Sequence, residues 1–506
     1  MEDLKSFVGA ITRNKVKQID VIGNAKSSQS QVQQLYEGIS EGKINEDEDI
    51  IAVFFPNSDN SAFYASRLKK RLKKRLTNTL FFVDVNQQSF NEHNRAYIIC
   101  YKQVTASKIL FGLNARQASV PLAEEALKLA LEFEFVELIL SLARDLQLYY
   151  GTITGEKKKL ERMGEILDQF TKVLQAEIQV EKYYATIMNH FVASKATKPE
   201  IKDEVEQCAK QIEELFKEIS SPRFNFFGYL ILTLRYEVAN DYKNTLKICE
   251  KALAYFEPIA SKVSIGNIFS FALKVLAYEI YLGNFEAAKI AAEKCFQFSR
   301  EGTYNWFLTC DYAIISGFHS KNFQDAYLFY DKAASHSNFE KQPSSTRERW
   351  YILEAYIYYF LFTKKLTVSD QNTFKKFRLS KFLNNVPVHF KDKRGANVSI
   401  IVLQILFLLQ QKKYNEIIDR TDSLKTYTQR YLKQDDTYRS SCFINMLLTL
   451  PDCSFHKKAV LRKSEKYWNK LLEVPMSAAN QNAEIEIVPY EMLWEFVLES
   501  LDEKWH

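Results

Sequence analysis

Apolar residues recur at helical spacing along most of this 506-residue chain. The clearest case lies between Ser61 and Phe82, where every fourth residue is apolar and one continuous stripe covers a helix face: Tyr64, Leu68, Leu72, Leu76 and Leu80. Similar patterns predict helices over residues 30–42, 122–135, 136–150, 156–191, 198–220, 350–362, 398–409, 414–432, 437–450, 454–472 and 489–501. Residues 16–23 alternate only weakly, so the chain as a whole is predicted to be long helices joined by short turns.

A short phrase is repeated three times in the middle of the chain. In each copy a polar or glycine corner precedes an aromatic residue, where a helix begins, and a small residue follows three positions later. The copies are Asn240–Leu246, Gly283–Ala288 and Lys321–Tyr327, with their aromatic residues 43 and 38 positions apart. Ten positions after each aromatic residue there is another small residue: Ala252, Cys295 and Ala333. A period of about 35–45 residues built from two helices is typical of a solenoid.

These phrases resemble the tetratricopeptide repeat, in which the second helix of each pair begins after a Gly/Asn-Asp/Asn-Tyr/Phe corner. The resemblance covers Phe224–Ser337 and returns at Ser399–Leu432, where Gln411–Ile417 repeats the corner. The consensus tryptophan of the first helix and most helix-ending prolines are absent, and the period is longer than the consensus of about 34 residues. The whole chain is also similar to uncharacterised bacterial helical-repeat proteins, a similarity that implies no activity.

The resemblance implies an all-α fold, a right-handed α-solenoid of stacked antiparallel helix pairs. A small N-terminal cap is expected, because terminal repeats must present one face that does not stack. The chain then divides into five segments: an N-terminal cap (1–60), degenerate helical repeats (61–220), tetratricopeptide-like repeats (221–364), a basic insertion (365–396), and C-terminal helical repeats with a cap (397–506).

Such a fold offers a long concave groove lined by side chains of the first helices, and grooves of this kind hold a peptide or helix of another protein. The leading hypothesis is therefore a non-enzymatic scaffold or adaptor with a protein or peptide partner. The residues expected to line the groove come from the first helices of the clear repeats: Tyr229, Arg235, Tyr236, Lys274, Tyr278, Asn305 and Asp311. The sequence makes no prediction of oligomeric state.

The composition favours a helical, intracellular protein. There are 14 glycines and 10 prolines, few for a β-rich or disordered chain. The seven cysteines are scattered and never form Cys-x-x-Cys, which favours a reducing compartment over a disulfide framework. Met1–Ser6 carries acids where a signal peptide would be basic, and the most apolar run, Val398–Leu409, is too short to cross a bilayer. We expect a cytoplasmic protein without membrane association.

No catalytic or cofactor-binding motif is present in the sequence. The chain lacks the Gly-x-x-x-x-Gly-Lys-Ser/Thr phosphate loop, the Gly-x-Gly-x-x-Gly fingerprint, the His-Glu-x-x-His zinc motif and the Gly-x-Ser-x-Gly elbow. None of the seven histidines is paired at metal-ligand spacing with a carboxylate or cysteine. We therefore predict no cofactor, no metal and no enzymatic activity; an enzyme assembled from residues distant in sequence is the third alternative.

Positive charge is concentrated in two segments. Residues 67–75 hold seven basic residues and no acid, and residues 366–396 carry a net charge of +5, whereas the whole chain carries +6. The rest of the chain is therefore net negative. The basic residues expected to contact a polyanion are Arg67, Lys70, Arg71, Lys74, Lys375, Lys376 and Arg378.

Each basic segment has two interpretations. The first is either a solvated helix face, partly neutralised by the acidic run Glu46–Asp49, or a docking surface for phosphates or an acidic partner. The second is either an insertion whose phenylalanines pack into the solenoid or a surface for single-stranded nucleic acid. Its phenylalanines interleave with the cations: Phe374, Phe377, Phe382 and Phe390. The alternative function is accordingly a nucleic-acid-associated regulator that uses segments 67–75 and 366–396.

Overall fold

The structure is a computed structural model and describes residues 30–87, 90–190, 198–368, 377–384, 396–431, 438–476 and 486–501. Within these ranges the protein is all-α, as predicted, with 21 α-helices and no β-strand. Consecutive helices pack against each other. The chain divides into two compact units, Met1–Leu174 and Gln175–His506.

The first unit contains six complete helices and the beginning of a seventh. They are α1 (Gln31–Ser40), α2 (Asp47–Phe54), α3 (Ser61–Leu80), α4 (Glu92–Gly112), α5 (Arg116–Glu132), α6 (Val136–Tyr149) and α7 (Lys157–Asn189). A turn of π-helix at Tyr150–Thr154 separates α6 from α7, and Gly155 ends it with φ 66°. The helical pattern of the sequence is broken at the same place.

Helices α1, α2 and α3 share one small core. Its buried members are Val32, Leu35, Ile44, Ile50, Ala65, Leu68 and Leu72. Helix α2 begins in the acidic run, where the Asp49 carboxylate accepts hydrogen bonds from the backbone N–H groups of Asn45 (2.7 Å) and Glu46 (3.0 Å). These bonds stabilise the ionised form and hold the pKa of Asp49 below its ordinary value. The acidic run is therefore the start of α2. The shared core contains residues from both sides of residue 60, the predicted end of the N-terminal cap.

The second unit begins within α7 and contains fourteen further helices. They are α8 (Lys198–Leu215), α9 (Pro222–Glu237), α10 (Tyr242–Phe256), α11 (Ile265–Tyr281), α12 (Phe285–Gln297), α13 (Tyr304–His319), α14 (Phe323–Ala334), α15 (Ser344–Phe362), α16 (Leu379–Asn384), α17 (Ala396–Gln410), α18 (Tyr414–Tyr431), α19 (Tyr438–Asp452), α20 (Lys457–Glu473) and α21 (Tyr490–Ser500). In the repeat region α9 pairs with α10, α11 with α12 and α13 with α14, and the first helix α11 also contacts α13. Helix α16 was not predicted, because six residues are too few to display a helical period.

Corners between consecutive helices share one backbone conformation. At six corners a residue with φ between 53° and 75° lies two positions before the next helix: Asn114, Glu134, Asn240, Gly283, Lys321 and Lys412. At all of these corners except Lys321, the following N–H bonds a carbonyl five residues earlier, as from Asp241 to Tyr236 and from Asn284 to Glu279, both at 2.9 Å. Glycine and asparagine adopt positive φ readily, whereas glutamate and lysine do so at a cost. At Glu134, Lys321 and Lys412 the packing of the two helices therefore imposes a positive φ that the residue type does not favour.

Paired helices approach most closely at small residues. A Cβ added to Gly317 of α13 would lie 2.8 Å from the Cβ of Ala326 in α14 and 2.9 Å from its backbone nitrogen. The small residues of the repeated phrases are all fully buried: Ala252, Ala288, Cys295, Ala326 and Ala333. The small residues of the sequence pattern are therefore buried, and at Ala326 the pattern marks a place where two helix backbones come together.

The last described segment, residues 486–501, returns to helices far back in the chain; we call it the tail segment. The ring of Phe496 in α21 contacts Phe323 and Phe360, at the start of α14 and the end of α15. Arg439, at the start of α19, donates to both carboxylate oxygens of Glu486 at 3.0 and 2.8 Å, and both side chains are buried. The tail segment is therefore part of the core of the second unit.

Candidate functional site

The residues predicted to line a groove lie on the first helices of three consecutive pairs. Tyr229, Arg235 and Tyr236 are on α9, Lys274 and Tyr278 on α11, and Asn305 and Asp311 on α13. All are half-buried except Asp311, which is buried. Half-burial is the accessibility expected of side chains that line a concave surface. We call this surface of α9, α11 and α13 the first-helix face.

Lys274 and Tyr278 share one acidic partner on the first-helix face. Lys274 Nζ lies 2.6 Å from Glu237 Oε1, and the Glu237 carboxylate also accepts a hydrogen bond from Tyr278, whose ring stacks on Tyr242 at 5.1 Å. Burial and then the negative charge of Glu237 raise the pKa of Tyr278 well above its usual value. Burial alone would lower the pKa of Lys274, but Glu237 outweighs it and the pKa lies above its usual value. The amine therefore stays protonated, which is the wrong state for a nucleophile.

Two further ion pairs connect the first-helix face to its neighbours. Arg235 donates to both oxygens of Glu206 in α8 at 2.6 and 2.7 Å, and reaches Glu213 at 2.9 Å. Arg349 of α15 pairs with the buried Asp311, whose other carboxylate oxygen accepts no hydrogen bond from the described residues. Each charged residue predicted for the groove is therefore neutralised by a neighbouring helix. The face offers a partner aromatic and polar groups with little net charge.

The remaining predicted residues add rings and one amide. Tyr229 packs against Tyr255 and Phe271, with ring centroids 6.4 and 6.2 Å away. Tyr236 lies under the guanidinium of the preceding arginine at 5.7 Å. Asn305 occupies the first turn of α13. The structure thus gathers the charged residues and Tyr278 into contacts between helices and leaves Asn305 at the end of the face.

A narrow cleft between α11, α13 and α15 extends the first-helix face. Its lining residues are Ala277, Ile280, Tyr281, Tyr312, Ile315, His319 and Arg349. Tyr312 and His319 were not predicted to line this surface, although they follow Lys274 and Tyr281 by 38 positions, the spacing of the last two repeated phrases. His319 Nε2 lies 3.3 Å from the carbonyl oxygen of Glu486, and burial lowers the pKa of the ring to about 4. The cleft is therefore bordered by a neutral histidine and by the tail segment.

The predicted basic residues lie in two different parts of the chain. Arg67, Lys70, Arg71 and Lys74 are exposed on α3, Arg378 is exposed before α16, and Lys375 and Lys376 lie outside the described residues. Phe377 and Phe382 are 8% and 1% exposed and contact Tyr358 and Phe407. Because a buried ring is not available to a base, these two phenylalanines pack into the protein instead of stacking on nucleic acid. Phe374 and Phe390 lie outside the described residues.

Metal-ligand clusters and thiols are two kinds of group that could give the described residues a chemical role. No cluster of three or more His, Cys, Asp or Glu side chains among them could hold a metal ion. Burial raises the pKa of the thiols of Cys249, Cys295 and Cys310 to about 12, so these residues supply no thiolate at neutral pH. In the part of the chain that the structure covers, every helix is too short or too polar to cross a bilayer.

Comparisons with models of protein families, with curated proteins and with solved structures find no match to this chain. A functional proposal therefore rests on the geometry of the first-helix face and of the surfaces beside it.

Proposed function

We propose that this protein is a non-enzymatic cytoplasmic scaffold or adaptor that binds a peptide or helix of a protein partner on the first-helix face. We further propose that its helix pairs form a right-handed, tetratricopeptide-like solenoid. The shared corner conformation and the small residues at the close approach of Gly317 and Ala326 support this repeat architecture. One observation carries the functional proposal: the chain already holds a helix of its own, α21, along its helix-pair corners.

Helix α21 contacts three turns that contain a residue with positive φ: the corner at Lys321, the turn at Lys364 after the end of α15, and the corner at Lys412. Each turn contributes one lysine. Lys321 Nζ lies 2.9 Å from Glu495, Lys365 Nζ lies 2.7 Å from Glu499, and Lys412 Nζ lies 2.8 Å from the carbonyl oxygen of Ser500. These turns therefore contact successive positions of α21, and the ring of Phe496 fills the space between them. Repeat proteins bind peptides and helices through such a series of contacts, one or a few from each repeat.

The first-helix face is likewise built from successive helix pairs, and it ends beside the first residue of the tail segment. The cleft residue His319 touches Glu486, the first residue of the tail segment, so a bound partner would end beside it. Tyr281 and Tyr312 are half-buried in the cleft, and aromatic residues in such positions are the usual anchors of protein interfaces. The ion pairs leave little net charge, so the expected partner segment has an apolar or aromatic anchor rather than a run of charge.

Site-specific photo-crosslinking in the native cell tests this proposal. A photoreactive amino acid replaces Tyr312 in the cleft or, as the matched control, Leu328, which is 55% exposed on the second helix α14. One discrete protein is expected to crosslink at position 312, and the crosslink should disappear when Tyr281→Ala is added. Melting temperatures of the purified variants must stay close to that of the unmodified protein.

Equal crosslinking at positions 312 and 328 would refute the first-helix face as a specific site, and so would a crosslink at position 312 that survives Tyr281→Ala. A partner that appears only at position 328 would place binding on the second helices instead.

A further inference from the structure

The outer face of α3 carries a straight row of cations with apolar side chains at both ends. Phe63, Arg67, Lys70, Lys74 and Phe81 follow each other at intervals of four, three, four and seven residues, which keeps them on one side of a helix. Phe81 is the residue directly after α3 and retains a helical backbone conformation. The opposite side carries Ala65, Leu68 and Leu72, which form the core with α1 and α2. At 1.5 Å per residue, the row from the first to the second phenylalanine is about 27 Å long.

The cations of this row are not neutralised within the described residues. Of the seven basic residues of α3, Lys69 pairs with Asp47 at 2.5 Å and Arg75 donates to Ser30 at 3.4 Å. The other five make no ion pair with any described residue and are exposed: Arg67, Lys70, Arg71, Lys73 and Lys74. The acidic run of α2 therefore neutralises one lysine and leaves a strong positive field on the outer face.

The apolar side chains beside these cations are unusually open to solvent. Phe63 is 64% exposed, Leu80 66%, Phe81 53% and Phe82 63%. Single exposed apolar residues are common on proteins, but four large ones bracketing five cations that pair with no described residue form a combined surface. The surface has a definite chemistry: positive in the middle and apolar at both ends.

The order of rings and cations on α3 distinguishes between two possible partners, single-stranded nucleic acid and an anionic membrane. Proteins that bind single-stranded nucleic acid stack successive bases on rings set along a basic groove, so that rings and cations alternate. On α3 no ring lies between Arg67 and Lys74, and one of the apolar groups is a leucine, which offers a base no ring to stack on. An anionic bilayer surface attracts juxtaposed lysines and arginines at its headgroups and takes both phenylalanine and leucine at the boundary with the acyl chains.

We propose that the outer face of α3 is a binding surface for anionic lipid membranes, with Lys70 and Lys74 at the headgroups and Phe63, Phe81 and Phe82 inserted at either end. Association of this kind places a helix on a membrane and needs no helix that crosses it. It would bring the partner bound on the first-helix face to a membrane surface. The proposal is independent of the first-helix face, because its residues all lie in the first unit.

Cosedimentation with vesicles tests the proposal on the full chain. Vesicles of phosphatidylcholine alone are compared with vesicles containing phosphatidylserine, over a range of salt concentrations. Lys70→Gln with Lys74→Gln should weaken binding to the anionic vesicles about thirtyfold at low salt, since each lysine near the surface contributes about 1 kcal/mol. The control variant Lys243→Gln with Lys251→Gln removes two exposed lysines of α10 and should bind as the unmodified protein does.

A second variant separates the apolar contribution from the charge. Phe81→Ser with Phe82→Ser should weaken binding at every salt concentration, because insertion of a ring is not screened by ions. A Phe81→Trp reporter should show a blue shift of its emission with anionic vesicles. Equal sedimentation with both vesicle types, or unchanged binding by both double variants, would overturn the proposal. Binding to single- or double-stranded DNA without binding to vesicles would overturn it in favour of nucleic acid.

Discussion

Arg439 is the residue whose loss should damage the fold most, because it holds the tail segment inside the protein. The guanidinium is 1% exposed and bonds both oxygens of Glu486, which is 2% exposed. It also bonds both oxygens of Glu491 at 2.8 Å, and the backbone carbonyls of Leu471 and Val474 at 3.1 and 2.6 Å. Among the described residues, Arg439→Met leaves the buried Glu486 carboxylate with only the backbone N–H of Tyr490 as its partner. Removing one partner of a buried ion pair costs about 3–5 kcal/mol, and we expect about 4 kcal/mol here.

A double-mutant cycle measured by urea denaturation tests this reasoning. Arg439→Met, Glu486→Leu and the double variant are compared, with tryptophan fluorescence and far-UV circular dichroism as the two signals. An apolar pair of similar volume often replaces a buried ion pair at little cost, so the double variant should be more stable than Arg439→Met alone by about 2 kcal/mol. The matched control is Lys463→Met, which breaks an exposed pair with Asp452 between α19 and α20 and should leave the unfolding midpoint unchanged.

Two results would refute the reasoning about Arg439. A loss below about 1 kcal/mol in Arg439→Met would mean that water reaches the site and hydrates Glu486. A double variant whose loss equals the sum of the single losses would mean that the two side chains do not interact in the folded protein.

Three further predictions concern the repeats and the cleft. Ala288→Trp and Ala326→Trp should each lower the free energy of unfolding by about 3 kcal/mol, because a close contact between helices has no room for an indole. Unchanged melting temperatures of both variants would refute the repeat register. Lys364→Gly should raise the free energy of unfolding by about 0.5–1 kcal/mol and Gly283→Ala should lower it by about 1 kcal/mol, because both residues have positive φ (60° and 75°). Urea titrations in which both variants shift the unfolding midpoint in the same direction would contradict this account of the corners. Acidification from pH 6.5 to pH 4 should lower the free energy of unfolding by about 2 kcal/mol through His319, allowing for the partly accessible ring. The reason is that the unfolded chain takes up the proton near pH 6.5 and the folded chain only near its pKa of about 4. His319→Gln should lose this part of the pH dependence, and a pH profile identical to that of the unmodified protein would rule the histidine out.

Most of the helices could be predicted from the sequence because they carry their own apolar pattern, whereas the short helices α2 and α16 were not predicted. Helix α6 was predicted at residues 136–150 and is found at Val136–Tyr149, and α18 was predicted at 414–432 and is found at Tyr414–Tyr431. The corner conformation could be predicted at Gly283, because glycine favours positive φ. It could not be predicted at Glu134 or Lys321, where the packing of two helices imposes the positive φ.

For the candidate site, the sequence indicated which helices contribute but not how their side chains pair. The repeat places Lys274 and Asp311 on first helices, which local spacing is sufficient to predict. Their partners Glu237 and Arg349 come from other helix pairs, and such contacts depend on the approach of whole helices. The return of the tail segment to α13 leaves no local pattern at all, since the contacting residues His319 and Glu486 are 167 positions apart.

The tail segment has a consequence for how the protein is made. In a simple solenoid each repeat contacts only its neighbours, so the chain can fold progressively as it leaves the ribosome. Here the rings of Phe323 and Phe360 pack against Phe496, a residue synthesised much later. At about 5–20 residues per second, the 167 positions between His319 and Glu486 take roughly 10–30 seconds to translate. During that interval the rings of Phe323 and Phe360 lack the cover that Phe496 gives them, and a chaperone could protect this apolar surface until the tail segment is made.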